Sequence, residues 1–288
     1  MVKDVAKSIK NRLLEQTRKS NGNYQQVLIR FFHERLMFRL SKSKYRTSFY
    51  LKGGSLLFAL NPLIARPTLD VDLLGINFPS KPELLRLMFV DVCSQTCPED
   101  GVTFDVGSIS VENIMNDKEY LGLNVKVHAS LDTVRQWISI DVGFGDSVVG
   151  EKEMSYPVLL ENLPRANIFA YSVESVVAEK FHAMVMLDEG NSRMKDFFDV
   201  YQILKNQKVN KRVLESAIKA TFKARKMEYH SEVNLFTLDF ALNESRKVLW
   251  RNFLRGIKYT GPLSFDEVMN LIRGELEMYW TEEMLGNG

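Results

Sequence analysis

The segment Thr68–Gly75, TLDVDLLG, constrains the fold more than any other stretch of the chain. In a strand the side chains alternate, so Leu69, Val71 and Leu73 share one face and the two aspartates share the other. The segment therefore reads as a strand with one face in a core. The opposite face holds two carboxylates, about 6–7 Å apart along the chain. Like charges placed so close repel unless a cation neutralises them. Magnesium suits such a pair, because it takes hard oxygen ligands and completes its shell with phosphate oxygens and water.

What precedes and follows this strand extends the pattern. Lys52-Gly53-Gly54-Ser55 reads as a turn opening a short helix, Leu56 to Leu60, bounded by Pro62 and Pro67. Glycines let the backbone approach an anion, and a helix N-terminus aims N–H groups at phosphate, to which Ser55 can add its hydroxyl. Downstream, Thr133 to Val142 alternates, with Trp137, Ser139 and Asp141 on one face and Ile138, Ile140 and Val142 on the other. If that strand lies beside the first, Asp141 joins the pair as a third acid; Asp146 is the alternative, and the sequence does not choose between them. Such a set matches two-metal phosphoryl transfer.

The chain changes character along its length. Residues 1–19 read as an amphipathic helix on Val5, Ile9, Leu13 and Leu14, broken by Ser20–Asn23, and a second helix starts near Tyr24. Phe49–Leu51 is a short strand and Leu84–Cys93 a helix. Further strands are expected over Val102–Val111, Leu121–Ala129 and Thr133–Val142. From Tyr171 the periodicity is helical only: a helix capped by Ser172 and running to Leu187, then Arg193–Lys205, Val213–Phe222, Phe236–Trp250 and Phe265–Tyr279, with Leu285–Gly288 a frayed end. The class is α/β (α+β), a mixed sheet with flanking helices followed by a helical bundle. The boundary falls at Leu163-Pro164-Arg165, giving domains of 1–168 and 169–288.

Net charge, +2 over 288 residues, hides a segregation. Residues 1–52 hold 13 Lys/Arg against 3 Asp/Glu, and residues 205–258 hold 13 against 5, leaving the remainder at −16. Two basic stretches around an acidic middle suit an enzyme that collects cations and binds a polyanion, and equally suit solvated helix faces. No apolar run approaches the ~20 residues of a membrane helix, and the N-terminus lacks the apolar core of a secretory signal, so a cytoplasmic location is expected. Cys93 and Cys97 lack the partners of a zinc site and read as reduced thiols. His33, His128, His182 and His230 lack the spacing of a nucleophile relay or a metal site and read as non-catalytic. Phe181, Phe197, Phe198 and Tyr201 read as helix-packing residues.

Glycine turn, Asp-x-Asp strand and later strand acid, in that order, resemble the nucleotidyltransferase superfamily. More narrowly, KGGSLLFAL (52–60), RPTLDVDLLG (66–75), VAEKFHAMV (177–185) and RMKDFFDVYQIL (193–204) are similar to the AbiEii/AbiGii family of nucleotidyltransferase toxins of type IV toxin–antitoxin and abortive-infection systems. The resemblance implies that Lys180 contacts the triphosphate and that Asp196 is needed for activity. It implies tRNA 3′ ends as acceptor and a cognate antitoxin as partner. On physical grounds Lys180, on an apolar helix beside Val176, Val177 and Ala183, either meets an anion or snorkels to the surface. Asp196 and Asp199 share a helix face, Asp199 reading equally well as a structural ion-pair partner. Arg66, four residues before Asp70, offers a fork for a phosphate. The expected reaction moves an NMP from an NTP, bound with Mg2+ between the Gly53–Ser55 turn and Lys180, to an acceptor hydroxyl. A protein or small-molecule acceptor, or a nucleotide-binding module without catalysis, are the alternatives. The sequence leaves open which NTP is used, whether the antitoxin binds directly, and the oligomeric state, with which a monomer is compatible.

Overall fold

A computed structural model describes residues 2–19, 22–62, 64–114 and 122–286. Met1, Ser20 and Asn21 of the expected helix and break, Leu121 at an expected strand start, and Asn287 and Gly288 lie outside these. The chain divides into two compact units. One comprises Met1–Leu60, Thr68–Gly145 and Lys152–Ala170; the other comprises Asn61–Pro67, Asp146–Glu151 and Tyr171–Gly288.

The first unit is built on a mixed sheet in the order β3-β4-β5-β2-β1-β7-β6. Its strands are β1 (Phe49–Lys52), β2 (Asp70–Gly75), β3 (Val102–Asn113), β4 (Gly122–Leu131), β5 (Val134–Phe144), β6 (Lys152–Ser155) and β7 (Asn167–Ala170). β2 and β5 are parallel neighbours, as are β1 and β7; the other pairs are antiparallel. Alternation is as the sequence predicts: Val71, Leu73, Leu123, Val125, Val127, Ile138, Ile140 and Val142 are buried, and the residues between them are half-buried or exposed. Leu69 is the exception. It precedes β2 and is 53% exposed, because pairing with β5 begins only at Asp70. β6 and β7 have no counterpart among the expected strands; four residues each are too few to show a period.

Helices α1 (Val2–Lys19), α2 (Tyr24–Lys42), α3 (Gly53–Leu60) and α4 (Pro82–Cys93) complete this unit, α1 packing on β4, α2 on β5 and β7, α3 on β1 and β2, and α4 on β3. Gln25 of α2 bonds Gln136 of β5, which lies on the Ile138–Ile140 side, so α2 covers the buried face and not the aspartate face. From Leu28 to Leu40 α2 is buried almost all round, with charged residues inside. Arg39 makes a fork on buried Asp100, at 2.8 and 3.2 Å. Arg35 lies 2.6 Å from Glu34 and donates to the Pro164 carbonyl.

The second unit is helical: α5 (Val173–Leu187), α6 (Met194–Asn206), α7 (Lys211–Ala224), α8 (Leu238–Leu242), α9 (Glu244–Gly256), α10 (Phe265–Leu276) and α11 (Glu282–Leu285). Ser172 caps α5 by accepting from the Ser175 N–H, as expected. The single helix expected over Phe236–Trp250 is two. Asn243 leaves the helical conformation and accepts the Arg246 N–H, capping α9, while Thr237 caps α8. An uninterrupted apolar period conceals such a break. Phe181, Phe197, Phe198 and Tyr201 are all buried, the three phenylalanines in ring contact with Phe222, Phe265 and Trp250. Among the described residues no helix is long and apolar enough to cross a membrane.

Candidate active site

The register of the sheet decides which acids meet. Asp72 of β2 lies opposite Asp141 of β5, and Asp70 opposite Ser139. Paired residues of adjacent strands share a face, so Asp70, Asp72 and Asp141 stand together on the face that α2 leaves uncovered. All three are half-buried. Asp146, the alternative third acid, follows the end of β5 and belongs to the second unit, where Arg225 reaches it at 3.0 Å.

Gly53 and Gly54 bring the turn onto this face directly. Gly53 takes a φ of +58°, in the left-handed region that favours glycine, and a Cβ there would lie 2.3 Å from Asp72 Oδ2. The Gly54 N–H donates to that same oxygen at 3.0 Å. The N-terminal turn of α3 thus faces an anion, the Asp72 carboxylate, which its dipole favours. Ser55 is buried; its hydroxyl donates to the Asp70 carbonyl at 2.8 Å and accepts from the Asp72 N–H at 3.3 Å, tying α3 to β2.

Asp141 has a partner that motif reasoning missed. Asn124 of β4, its register neighbour on the side away from β2, donates Nδ2 to Asp141 Oδ1 at 2.6 Å and to Ser139 Oγ at 2.7 Å. Polar alternation marks Asn124 as belonging to the open face of β4, but only the register shows that it meets Asp141.

Among the described residues no group of three or more His, Cys, Asp or Glu side chains is gathered as a metal cluster. The donor set nonetheless suits magnesium. Magnesium is held by one or two carboxylates together with substrate phosphates rather than by an all-protein cage, and Asp70 and Asp72 supply hard oxygens on one face. The backbone N–H of Gly54 orients one of them.

The remaining expected residues meet in the second unit. Lys180 of α5 lies 2.6 Å from Asp196 and 2.9 Å from Asp199, both on α6, with its side chain 12% exposed and theirs 2%. Arg66 makes its fork on Asp199, at 3.1 and 3.2 Å, so its guanidinium binds a carboxylate of the protein. Arg193 Nε lies 2.8 Å from Asp196 Oδ2, off hydrogen-bond geometry, an ion contact only. Burial pulls the Lys180 ammonium down, but Asp199 and Asp196 outweigh it and hold its pKa above the ordinary lysine value. Burial likewise pushes the Asp196 carboxyl up, and Lys180 and Arg193 outweigh it, leaving it below the usual range. The anion that Lys180 requires is thus present as two buried aspartates.

The profile of the family described as nucleotidyl transferase AbiEii toxin, type IV TA system, matches residues 35–271. No curated protein matches the chain. Solved structures similar to it include two from Helicobacter pylori. A candidate nucleotidyltransferase from H. pylori is 14% identical over 85% of this chain and 89% of that one, with a TM-score of 0.44. JHP933 from Helicobacter pylori is 15% identical over 85% and 90%, with a TM-score of 0.41. With the family match running over most of its length, the chain belongs to the AbiEii nucleotidyl transferase toxins of type IV toxin–antitoxin systems.

Proposed function

We propose that this nucleotidyltransferase moves an NMP from an NTP onto the 3′ hydroxyl of tRNA, in the presence of Mg2+. The observation that carries the reading is the shared face of Asp70, Asp72 and Asp141, with Gly54 bonded to Asp72. Asp70 and Asp72 would hold the metal, with Asp141 sharing a second one; the metal when bound neutralises the repulsion of these acids and withdraws charge from the phosphates. The Gly53–Ser55 turn keeps the backbone close to that face. Asp141, with Oδ1 held by Asn124, accepts the proton of the attacking hydroxyl on its other oxygen. The acceptor oxygen forms a bond to the α-phosphorus, the bond from that phosphorus to the bridging oxygen breaks, and diphosphate carries the electron pair away. Lys180, held charged by Asp196 and Asp199, is the proposed contact to the triphosphate.

The basic segments support an RNA acceptor and narrow it. Arg35 and Arg39 are buried in ion pairs, and Lys10, Arg46 and Arg225 meet Asp132, Glu153 and Asp146. Backbone binding then falls to exposed cations such as Lys208, Lys223, Lys226 and Arg251. A cytoplasmic site of action and a cognate antitoxin complete the reading. The test incubates the protein with labelled NTPs and total tRNA, cell protein or small-molecule acceptors. Label entering tRNA 3′ ends is expected, with Asp70→Asn abolishing it and leaving the unfolding midpoint unchanged. Undiminished transfer by Asp70→Asn overturns the metal assignment, and label in protein or a small molecule overturns the acceptor.

A further inference from the structure

The face that carries Asp141 does not end there. Along β5 it continues through Ser139 to Trp137, which is 47% exposed, while Trp250 is 1% and Trp280 8% exposed. Trp137 lies four residues from Asp141, about 13 Å at the rise of a strand. Its register partner on β4 is His128, and the two ring centroids are 3.5 Å apart, so the imidazole braces the indole in place. Between this pair and the carboxylates lies Lys126, opposite Ser139, with a side chain 47% exposed. Its ion contact to Glu112, at 3.5 Å, joins two exposed groups and holds it weakly. Arg135, also exposed, follows Trp137 on the same face.

We propose that this face docks a single-stranded RNA 3′ end, with Trp137 as the platform for a base upstream of the terminal nucleotide and Lys126 on the backbone between them. The inference rests on the RNA acceptor proposed above and names where that acceptor sits. An exposed indole offers a flat apolar surface that every base can stack on, and the cations beside it match a phosphate backbone. Within a duplex the base faces are already stacked, so only an unpaired end presents one to Trp137. The direction follows from the face itself: a strand running from Trp137 past Lys126 arrives with its terminal hydroxyl at Asp141. Asp105 and Glu112 lie on β3, opposite His128 and Asn124 and separated from β5 by β4.

Trp137 is the exposed one of three tryptophans, which supplies the readout. Titrating the intact protein with a short single-stranded oligoribonucleotide bearing a free 3′ hydroxyl is expected to quench its fluorescence. Trp137→Phe should remove the quench yet keep affinity, by anisotropy of the labelled oligonucleotide, within about threefold. Trp137→Ala should weaken binding by about tenfold or more, the effect of losing one stacked base. In the transfer reaction it should raise the KM for the acceptor without changing the KM for the NTP. A Trp137→Ala protein that binds and modifies RNA as the wild type does overturns this proposal alone. A blunt RNA duplex that binds as well as the single strand overturns its single-stranded part. A wild type that neither binds nor labels RNA overturns the acceptor reading, and the docking site with it.

Discussion

Asn124 and Asp141 show how a side chain outside any motif comes to matter. The carboxylate of Asp141 stands in register with Asp72 on one side and with Asn124 on the other, and the amide donates to it at 2.6 Å. A partner that orients an acid near a metal typically contributes 10–100-fold to metal affinity, by fixing rotamer and charge. Asn124→Leu, which keeps the branched outline and removes the donor, is therefore expected to raise the Mg2+ or Mn2+ concentration needed for half-maximal transfer by about tenfold. Metal titration of Asn124→Leu beside Asp141→Asn checks this; wild-type dependence in the first with altered dependence in the second refutes the role. Alternation alone shows Asp70 and Asp72 sharing a face; that Asp141 joins them took the register of β2 and β5. Asn124 was not legible, because register is a long-range pairing that a single strand does not encode.

At the scale of elements, α5 and α6 are held together by a charge network rather than by apolar packing alone. Lys180 bridges Asp196 and Asp199, and Arg66 closes on Asp199 from a loop segment of the same unit. Removing one partner of such a cluster strands buried charge at a cost of about 3–5 kcal/mol. Lys180→Met should thus lower stability by about 3 kcal/mol in urea or guanidinium unfolding, and adding Asp196→Asn and Asp199→Asn should recover part of it. A Lys180→Met protein of wild-type stability contradicts the structural role. Activity lost on substituting Lys180 or Asp196 has to be read against that unfolding curve. The pattern of acids and bases on α6 was visible in the sequence. That Arg66 spends its fork on Asp199 was not, since 133 residues separate them.

For the molecule as a whole, the two units are expected to answer acid differently. In the second, burial first and the Arg225 guanidinium next push His182 down to about 4, so the folded state keeps it neutral. Unfolded, it titrates near 6.5. Its contribution is therefore present above about pH 6.5 and lost as pH falls through about 4, on the order of 3 kcal/mol in all. In the first unit burial lowers His33 to about 4 but raises Glu34 to about 7, and these act in opposite directions with pH. Acid sensitivity should accordingly reside in the second unit. His182→Gln is expected to flatten the fall of the unfolding midpoint between pH 6.5 and 4, and an unchanged slope would refute this. By itself the sequence determined the alternation of β2, β4 and β5, the switch to helices after Tyr171, and the turn and Asp-x-Asp pair, because each is a local period or spacing. Only the tertiary structure decided that β5 lies beside β2, that Asn124 holds Asp141, that Lys180 is neutralised within the protein, and that Trp137 stays open on the face of the acids. Those depend on register and burial, which arise where segments distant in sequence pack together.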